Sequence, residues 1–277
     1  LQQKNIPTQD YPYDPDHAAL HHVLDEGWAW ALRFNNDRTS WGFALNGNDN
    51  SFQRMNTAEI WSTMRNAYPG IDHILKMGSL SPQPGRIIQS GRLQRRLEKC
   101  FGDGWLAMPH TIGFVDPLFS TGIAWSLAGL ERIVQMLNEN RNFDEHLYEQ
   151  LKEYEHIAFE ELKLIDMLVA GCYKAMPHFP LFNAWSMLYF TFTILYEQRR
   201  LKNQPVTCFL EAHNPEVQQI VQITYKELLK LTAQKNISSA DMNAFTGRVR
   251  ERIKPFNTAG LLDPLSKNMY HHTVAAL

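Results

Sequence analysis

Cysteine is scarce in this sequence. The 277 residues include three cysteines, Cys100, Cys172 and Cys208, which lie far apart and form no CxxC pair. An odd, dispersed set of this kind argues against a disulfide framework and against a thiolate metal site, and it fits a reducing compartment. We therefore expect a cytoplasmic protein.

The chain also lacks an excess of charge of either sign. Its 27 lysines and arginines nearly balance 29 aspartates and glutamates, which leaves a formal net charge of -2. Such a surface has no strong basic field to attract a polyanion, so we do not expect nucleic acid as a partner.

Long apolar runs are missing as well. The longest uncharged apolar stretch, residues 181–196, is shorter than the roughly 20 residues that a membrane-spanning helix needs, so we expect no membrane span. It predicts a buried helix, and its aromatic face could belong to the core or to a pocket. Residues 1–16 show no basic segment followed by an apolar one, so we expect no signal peptide.

Several catalytic and metal-binding motifs are absent. The sequence contains no GxSxG, HExxH or P-loop pattern, which removes the commonest hydrolase and NTPase interpretations. The pairs His21-His22 and His271-His272 have no acidic or cysteine partner at ligand spacing, and adjacent residues of a strand point to opposite faces. We expect no metal site.

Hydrophobic and aromatic residues are plentiful. They make up 44% and 12% of the chain, which is enough for a sizeable core and compatible with a pocket for a flat or apolar ligand.

The first part of the chain has the pattern of a small sheet. Short aromatic and aliphatic runs at 20–25, 28–34 and 39–45 are separated by turn signals, which predicts an antiparallel meander. Residues 57–66 predict a helix with Thr57 near its N-cap, and an extended stretch follows from Arg86.

From Leu118 onward the apolar residues follow a helical period. The clearest helix covers 147–169, with Asn142 as its cap and Glu145 at the capping-box position. Further helices are predicted at 119–138, 181–200, 215–231 and 239–254. We therefore expect an α+β chain with a β-rich region at 1–117 and a helical region at 118–277.

One segment stands out for chemistry. Residues 105–129 read WLAMPHTIGFVDPLFSTGIAWSLAG, a loop that leads into a helix. Unpaired N–H groups at such a helix start favour an anion or an electron-rich ligand edge, and Gly122 permits close approach to the backbone. The alternative is an ordinary capped helix start, for which Ser120, Thr121 and Asp116 are equally suitable.

This segment resembles a family. Residues 113–133, GFVDPLFSTGIAWSLAGLERI, are similar to the second flavin motif of FAD-dependent halogenases and their relatives among oxidoreductases of the hydroxybenzoate-hydroxylase type. Residues 21–36 resemble the WxWxIP strand of the same family, with Trp28 and Trp30 as its tryptophans. Residues 256–264 are similar to the C-terminal end of some members.

The resemblance implies an FAD site and a substrate pocket. Backbone N–H groups near Gly122 and Ile123 would face the isoalloxazine ring. The implied cofactor residues are Asp116, Pro117, Ser120, Thr121, Gly122 and Ile123. The implied pocket residues are His22, Trp28, Trp30 and Phe119.

Three positions depart from the family pattern. Pro109-His110 replaces a Gly-Asp pair whose carboxylate holds the ribityl chain, and His110 could donate a hydrogen bond there instead. Phe119 replaces a glutamate of the tryptophan halogenases, and Leu32-Arg33 replaces the Ile-Pro of the strand motif. The change at Phe119 favours the phenol- and pyrrole-type branch of the halogenases or a non-halogenating relative. The change at Leu32-Arg33 favours a more distant, halogenase-like oxidoreductase.

The family's nucleotide-binding GxGxxG unit is not in this chain, nor is the half of the protein that carries the catalytic lysine. Residues 102–107 fit GxGxxA by letters, but no hydrophobic strand precedes them and Pro109 argues against a helix directly after them. We expect the C-terminal half of a larger FAD-binding α/β protein that acts on an organic substrate, aromatic or carrier-linked, with a flavin reductase as partner. The alternative is a non-catalytic binding module that retains the scaffold.

Overall fold

The structure is a computed structural model that describes residues 19–47, 50–140, 144–204 and 208–265. It divides into two units, with the boundary between Arg92 and Leu93. This boundary lies before the one expected between 117 and 118, because residues 95–114 pair with one another and pack on the helices that follow.

The first unit contains the antiparallel sheet that the sequence predicts. Strands β1 (Leu20–Leu24), β2 (Gly27–Arg33) and β3 (Thr39–Leu45) are hydrogen-bonded in the order β1-β2-β3. A two-residue turn joins β1 to β2 and a five-residue turn joins β2 to β3, so each strand pairs with its neighbour in sequence and the meander is confirmed.

One face of this sheet is covered by helices α1 (Asn50–Gln53), α2 (Thr57–Ala67) and α3 (Pro69–Lys76). Leu24 and Ala29 of the sheet form a buried cluster with Met64 and Ile71 of the helices. The predicted helix at 57–66 is confirmed. Its N-cap is Asn56, which forms a capping box with Glu59, rather than Thr57.

The second unit begins with short paired segments. Strand β4 (Arg95–Arg96) pairs with β7 (Gly113–Phe114), and β5 (Phe101–Gly102) pairs with β6 (Trp105–Leu106). A single helical turn, α4 (Pro109–Ile112), precedes β7. The expectation that Pro109 prevents a helix is wrong, because proline is well tolerated at the first helical position. The rejection of a dinucleotide site at 102–107 stands, because these residues form a hairpin.

Five longer helices build the rest of the second unit: α5 (Thr121–Glu139), α6 (Glu145–Ala175), α7 (Phe179–Leu201), α8 (Pro215–Thr232) and α9 (Ser239–Ile253). All five predicted helices are confirmed to within a few residues. A 3-10 turn at Phe209–Glu211 precedes α8. Asn142, the predicted cap of α6, lies outside the described residues, and Asp144 caps the helix through a bond from Leu147 N–H. In the part of the chain that the structure describes, no helix is long and apolar enough to cross a membrane.

The core of the second unit is aromatic. Trp185, Leu188, Tyr189 and Phe192 of α7 are buried, which identifies the aromatic face of this helix as core. The Trp185 Nε1–H donates to the Leu168 carbonyl of α6 at 2.7 Å, so the polar edge of the buried indole is satisfied. The three cysteines are buried and free, which agrees with the expected absence of disulfides.

A buried carboxylate joins three elements in this core. Glu161 of α6 is fully buried and accepts hydrogen bonds from the Trp125 indole at 2.8 Å and from the Phe209 backbone N–H at 2.5 Å. Arg132 of α5 donates to both carboxylate oxygens. The second unit therefore fixes α5 in position through a charged pair as well as through apolar packing.

Candidate functional site

The loop before α5 is built around Asp116. Its Oδ1 accepts a hydrogen bond from Leu118 N–H at 2.8 Å, and its Oδ2 accepts one from the Tyr173 hydroxyl of α6, also at 2.8 Å. Both carboxylate oxygens are thus used inside the protein. Asp116 holds the loop in shape and ties it to α6.

Tyr189 of α7 packs against the same loop and is hydrogen-bonded to it. Its ring stacks on the ring of Phe119, with centroids 4.0 Å apart and planes within 6°. Thr121 Oγ1 donates to the Tyr189 hydroxyl at 3.1 Å, and that hydroxyl lies 3.5 Å from the Phe119 carbonyl oxygen. Burial raises the pKa of Tyr189, so its hydroxyl stays protonated and able to donate.

The start of α5 has no side-chain cap. Ser120, at the N-cap position, adopts the left-handed conformation with φ 52° and ψ 27°, and its hydroxyl makes no capping bond. The hydroxyl of Thr121 and the carboxylate of Asp116 are turned to the two tyrosines. The alternative of an ordinary capped helix start is therefore wrong. Backbone donors at the first turn remain for another partner.

Gly122 lies against a histidine. A Cβ built at residue 122 would come within 2.6 Å of the His110 Nδ1 atom, so a larger residue would require this imidazole to move. The His110 carbonyl accepts a hydrogen bond from Arg95 Nη2 at 2.9 Å, and its ring lies 5.4 Å from that of Phe114. His110 thus stands beside the helix start, where it could serve as the donor that the sequence suggests.

The six predicted cofactor residues fall into two groups. The side chains of Asp116 and Thr121 face inward and support the loop. Pro117, Ser120 and Ile123 are exposed, and Gly122 is partly so. The structure therefore brings all six residues to one helix start but leaves the outward contacts to backbone groups and to the exposed members.

The predicted pocket residues are distributed over both units. Phe119 belongs to the second unit, where its half-buried ring also meets the edge of Phe190. His22, Trp28 and Trp30 belong to the sheet of the first unit.

The two tryptophans and His22 lie on opposite faces of that sheet. Trp28 pairs with Val23 and Trp30 with His21, which places both indoles on the His21 face. His22 pairs with Ala29 on the face that the helices cover, where its ring stacks on Trp41 at 5.2 Å. The tryptophans and His22 cannot line one pocket on the same side of the sheet.

Within the described residues, no three His, Cys, Asp or Glu side chains are grouped closely enough to hold a metal ion. The His271-His272 pair of the sequence lies outside those residues.

Sequence reasoning missed the two tyrosines that hold the loop. The sequence pattern presents Tyr189 only as one residue of an aromatic helix face, and it gives no reason to single out Tyr173. Their partners, Thr121 and Asp116, are 68 and 57 residues away in sequence. Local sequence spacing cannot predict contacts between residues so far apart.

Two curated proteins are similar to this chain. Tetracycline 7-halogenase of Kitasatospora aureofaciens is 25% identical over 173 residues, which are 60% of this chain and 30% of that protein. Monodechloroaminopyrrolnitrin halogenase PrnC of Pseudomonas fluorescens is 28% identical over 183 residues, which are 64% of this chain and 32% of that protein. The chain spans about a third of the length of these relatives.

The fold is also that of a solved halogenase. The crystal structure of halogenase PltM matches 89% of this chain with a TM-score of 0.73 and 21% sequence identity, and the match covers 54% of the PltM chain. PltM has also been solved in complex with phloroglucinol and FAD, where the match is equally good.

Residues 7–178 match the tryptophan halogenase family. This range includes residues 21–36 and 113–133, two of the three segments on which the resemblance rests, and it ends before the third, residues 256–264. The match covers more than half of the sequence, and the chain therefore belongs to the tryptophan halogenase family.

Proposed function

We propose that this chain is the C-terminal half of an FAD-dependent oxidoreductase of the halogenase type, and that residues 116–123 meet the edge of the flavin ring. The uncapped start of α5 carries this proposal. Free N–H donors at the positive end of a 19-residue helix suit the electron-rich carbonyl edge of a flavin.

The residues present fit such a ring edge. Ser120 is held in a sparsely populated backbone conformation, and strain of this kind persists where surrounding contacts enforce it. Those contacts are the bonds and ring stacking that Tyr173 and Tyr189 make with the loop. Backbone N–H groups of Gly122 and Ile123 would hold the ring edge, with Pro117 and Ser120 beside it.

FAD held by these residues would supply the O2-dependent redox chemistry that oxygenates or halogenates the substrate. The protein's own contribution is positioning. Asp116 and Thr121 hold the loop rigid, and the helical region behind it excludes water from one side of the ring. A flavin reductase is the expected electron source, and we expect the reaction to take place in the cytoplasm.

The substrate is an organic molecule, aromatic or carrier-linked. Trp28 and Trp30, on one face of the sheet of the first unit, are proposed to contact it, because flat aromatic side chains suit a flat ligand. Phe119 of the second unit stays a predicted pocket residue. In support, the names of both curated relatives refer to halogenation of a ring-containing compound, and PltM was crystallised with phloroglucinol.

A non-catalytic binding module is the second candidate. The segment at 102–107 that fits a nucleotide motif by letters forms a β-hairpin rather than a strand, turn and helix, so it offers no nucleotide site under either candidate. The coding sequence upstream of Leu1 distinguishes the enzyme from the binding module. A GxGxxG strand, turn and helix in the same reading frame supports the enzyme, and a stop codon supports the module.

The activity itself can be tested with the product of the whole reading frame. The assay supplies FAD, a flavin reductase, O2, bromide and a panel of phenols, pyrroles and indoles. Oxygenated or brominated product would support the proposal, and bromination would show that Leu32 and Arg33 are compatible with halogenase chemistry. Flavin binding without any substrate turnover across the panel would favour the binding module.

A further inference from the structure

His21 lies beside the two tryptophans of the sheet. In the register of β1 and β2 it is opposite Trp30, so its side chain is on the same face as both indoles. Its ring meets the ring of Trp28 edge-on, with centroids 4.8 Å apart and planes at 63°. An imidazole therefore adjoins the aromatic surface that we propose contacts the substrate.

The rest of this face offers few polar groups. The register also places on it Val23, Leu32, Ser40, Gly42 and Ala44. The indole N–H of Trp30 donates to Ser40 Oγ at 3.1 Å, so it already has an acceptor. Of the residues that the described strands place on this face, His21 is the one with a titratable side chain.

The imidazole of His21 can accept a further partner. Within the part of the chain that the structure describes, its ring nitrogens make no hydrogen bond, and the residue is exposed. Its partial burial lowers the pKa of His21 below the ordinary value of 6.5, so the imidazole is neutral at neutral pH. A neutral imidazole has one donor nitrogen and one acceptor nitrogen, and it can therefore bind a ligand group that is itself a donor.

The neighbouring His22 cannot bind a ligand at this place. Its side chain is on the opposite face of the sheet, where its ring stacks on Trp41 and its Nε2 atom is buried. The histidine of the pair that can reach a ligand on the two tryptophans is His21.

We propose that His21 binds the O–H or N–H group of an aromatic substrate that lies on Trp28 and Trp30. This inference rests on the proposed function, which puts the substrate on that face. Apolar contact with two indoles is non-directional and leaves a flat ring free to turn in its own plane. A hydrogen bond from the substrate to the imidazole fixes the orientation of the ring and selects rings that carry such a donor.

Two pairs of compounds test this role. Phloroglucinol carries O–H groups and its trimethyl ether has none, and indole carries an N–H group that N-methylindole lacks. Their affinities are measured by isothermal titration calorimetry with the FAD-loaded product of the whole reading frame, in the unaltered form and as H21F, H21Q and H73F. His73 is an exposed histidine of α3 in the same unit, so H73F is the matched control.

The affinity ratio between a compound and its methylated partner decides. We expect this ratio to fall about five- to tenfold in H21F for phloroglucinol or for indole, which corresponds to one hydrogen bond. H21Q keeps an acceptor and should retain most of the ratio, and H73F should match the unaltered protein. An unchanged ratio in H21F would overturn the proposal, because the imidazole would then only fill space. H21L repeats the comparison with a side chain of different shape, in case H21F does not fold.

Flavin absorbance of the same samples distinguishes this inference from the proposed function. A flavin-loaded protein that binds neither phloroglucinol nor indole, or binds them without dependence on His21, would overturn the role of His21 alone. A protein that takes up no flavin but shows the expected dependence would overturn the proposed function and retain His21 as a ligand-binding residue.

Discussion

The ring of Phe119 lies parallel to the ring of Tyr189, with 4.0 Å between their centroids. The Tyr189 hydroxyl also accepts a hydrogen bond from Thr121 Oγ1, so one residue of α7 holds both neighbours of Ser120. Ser120 is the residue in the left-handed conformation. Helix α7 therefore enforces the backbone shape that leaves the start of α5 open.

Removing the Tyr189 hydroxyl should loosen this loop. In Y189F the ring stacking is kept, but the buried Thr121 hydroxyl loses its partner. We expect the free energy of unfolding to fall by about 1 kcal/mol, and the affinity of the full-length protein for FAD to fall several-fold. Urea unfolding and a flavin fluorescence titration measure the two effects. The exposed Tyr148 supplies the control variant Y148F, and a Y189F protein that matches it in both measurements would contradict the role given to this hydroxyl.

The ion pair between Glu161 and Arg132 should be essential for the second unit. In E161A the guanidinium of Arg132, the Trp125 indole and the Phe209 N–H all lose their acceptor in a buried site. Breaking a buried pair of this kind costs about 3 to 5 kcal/mol. Urea unfolding of E161A should show this loss.

The control for E161A lies on the same helix. Glu149 pairs with Lys152 at the surface, at 2.8 Å, and exposed pairs contribute about 0 to 1 kcal/mol. E149A should therefore unfold almost as the unaltered chain does. Equal losses of unfolding free energy in E161A and E149A would show that the buried ion pair stabilises the protein no more than the exposed one.

Gly42 of β3 leaves room for Trp30. The indole lies over residue 42, where a Cβ would come within 2.1 Å of its Cζ2 atom, and its Nε1–H donates to Ser40 Oγ at 3.1 Å. We expect G42A to displace the indole and to cost about 1 to 3 kcal/mol in unfolding free energy. A Cβ at residue 47 would meet no atom within 4 Å, so G47A is the matched control. An undiminished stability of G42A would mean that Trp30 has another position available.

The stability of the first unit should depend on pH through His22. Burial lowers the pKa of His22 below its ordinary value of 6.5, and its Nε2 is buried without a hydrogen-bond partner among the described residues. The unfolded chain therefore binds this proton more readily than the folded one as the pH falls below 6.5. The contribution of His22 is complete above that pH and is lost below it.

The variant H22F tests this dependence. We expect its unfolding free energy to fall less steeply than that of the unaltered chain between pH 6.5 and pH 5, in urea unfolding at several pH values. Part of the slope should remain, because burial lowers the pKa of His21 as well. Parallel pH profiles for the two proteins would show that His22 titrates normally in the folded state.

The spacing of apolar residues predicts most of the helices and strands, but it does not predict the short segments between them. Helices α5 to α9 and the three strands of the meander follow from regular spacing. Helix α3 escapes prediction because Tyr68 ends α2 and Pro69 begins α3 with no linker, and Ala-Tyr-Pro-Gly has the composition of a turn. The single turn α4 escapes it for a related reason, since proline breaks a helix at interior positions but Pro109 stands at the first one.

The sequence predicts which residues form the candidate site. It does not predict which of their side chains support the loop and which face outward. The motif identifies Asp116 and Thr121, yet their hydroxyl partners are on α6 and α7 and no local pattern links them. Glu161 is the clearest example, since a charged residue within an apolar helical stripe gives no indication that Arg132 lies opposite it. Such pairs depend on helix packing, which the sequence pattern does not specify.

Gly122 is the residue whose substitution should most directly affect flavin binding. A double variant distinguishes two physical causes of the loss expected in G122V. In G122V the new side chain would collide with His110 and would also block access to the helix start. The variant G122V/H110A removes the first collision and keeps the second. If the flavin ring meets Gly122, the double variant should bind less flavin than H110A alone, whereas equal flavin binding in these two variants would assign the defect of G122V to the collision with His110.

The flavin absorbance of the purified full-length protein and of its G122V variant is the most direct measurement. We expect about one FAD per chain in the unaltered protein, a large loss of FAD in G122V, and a colourless 277-residue chain, because the proposed pyrophosphate and adenine contacts that supply much of the affinity lie outside it. Full flavin retention in G122V would contradict the proposed binding of the flavin ring at the start of α5.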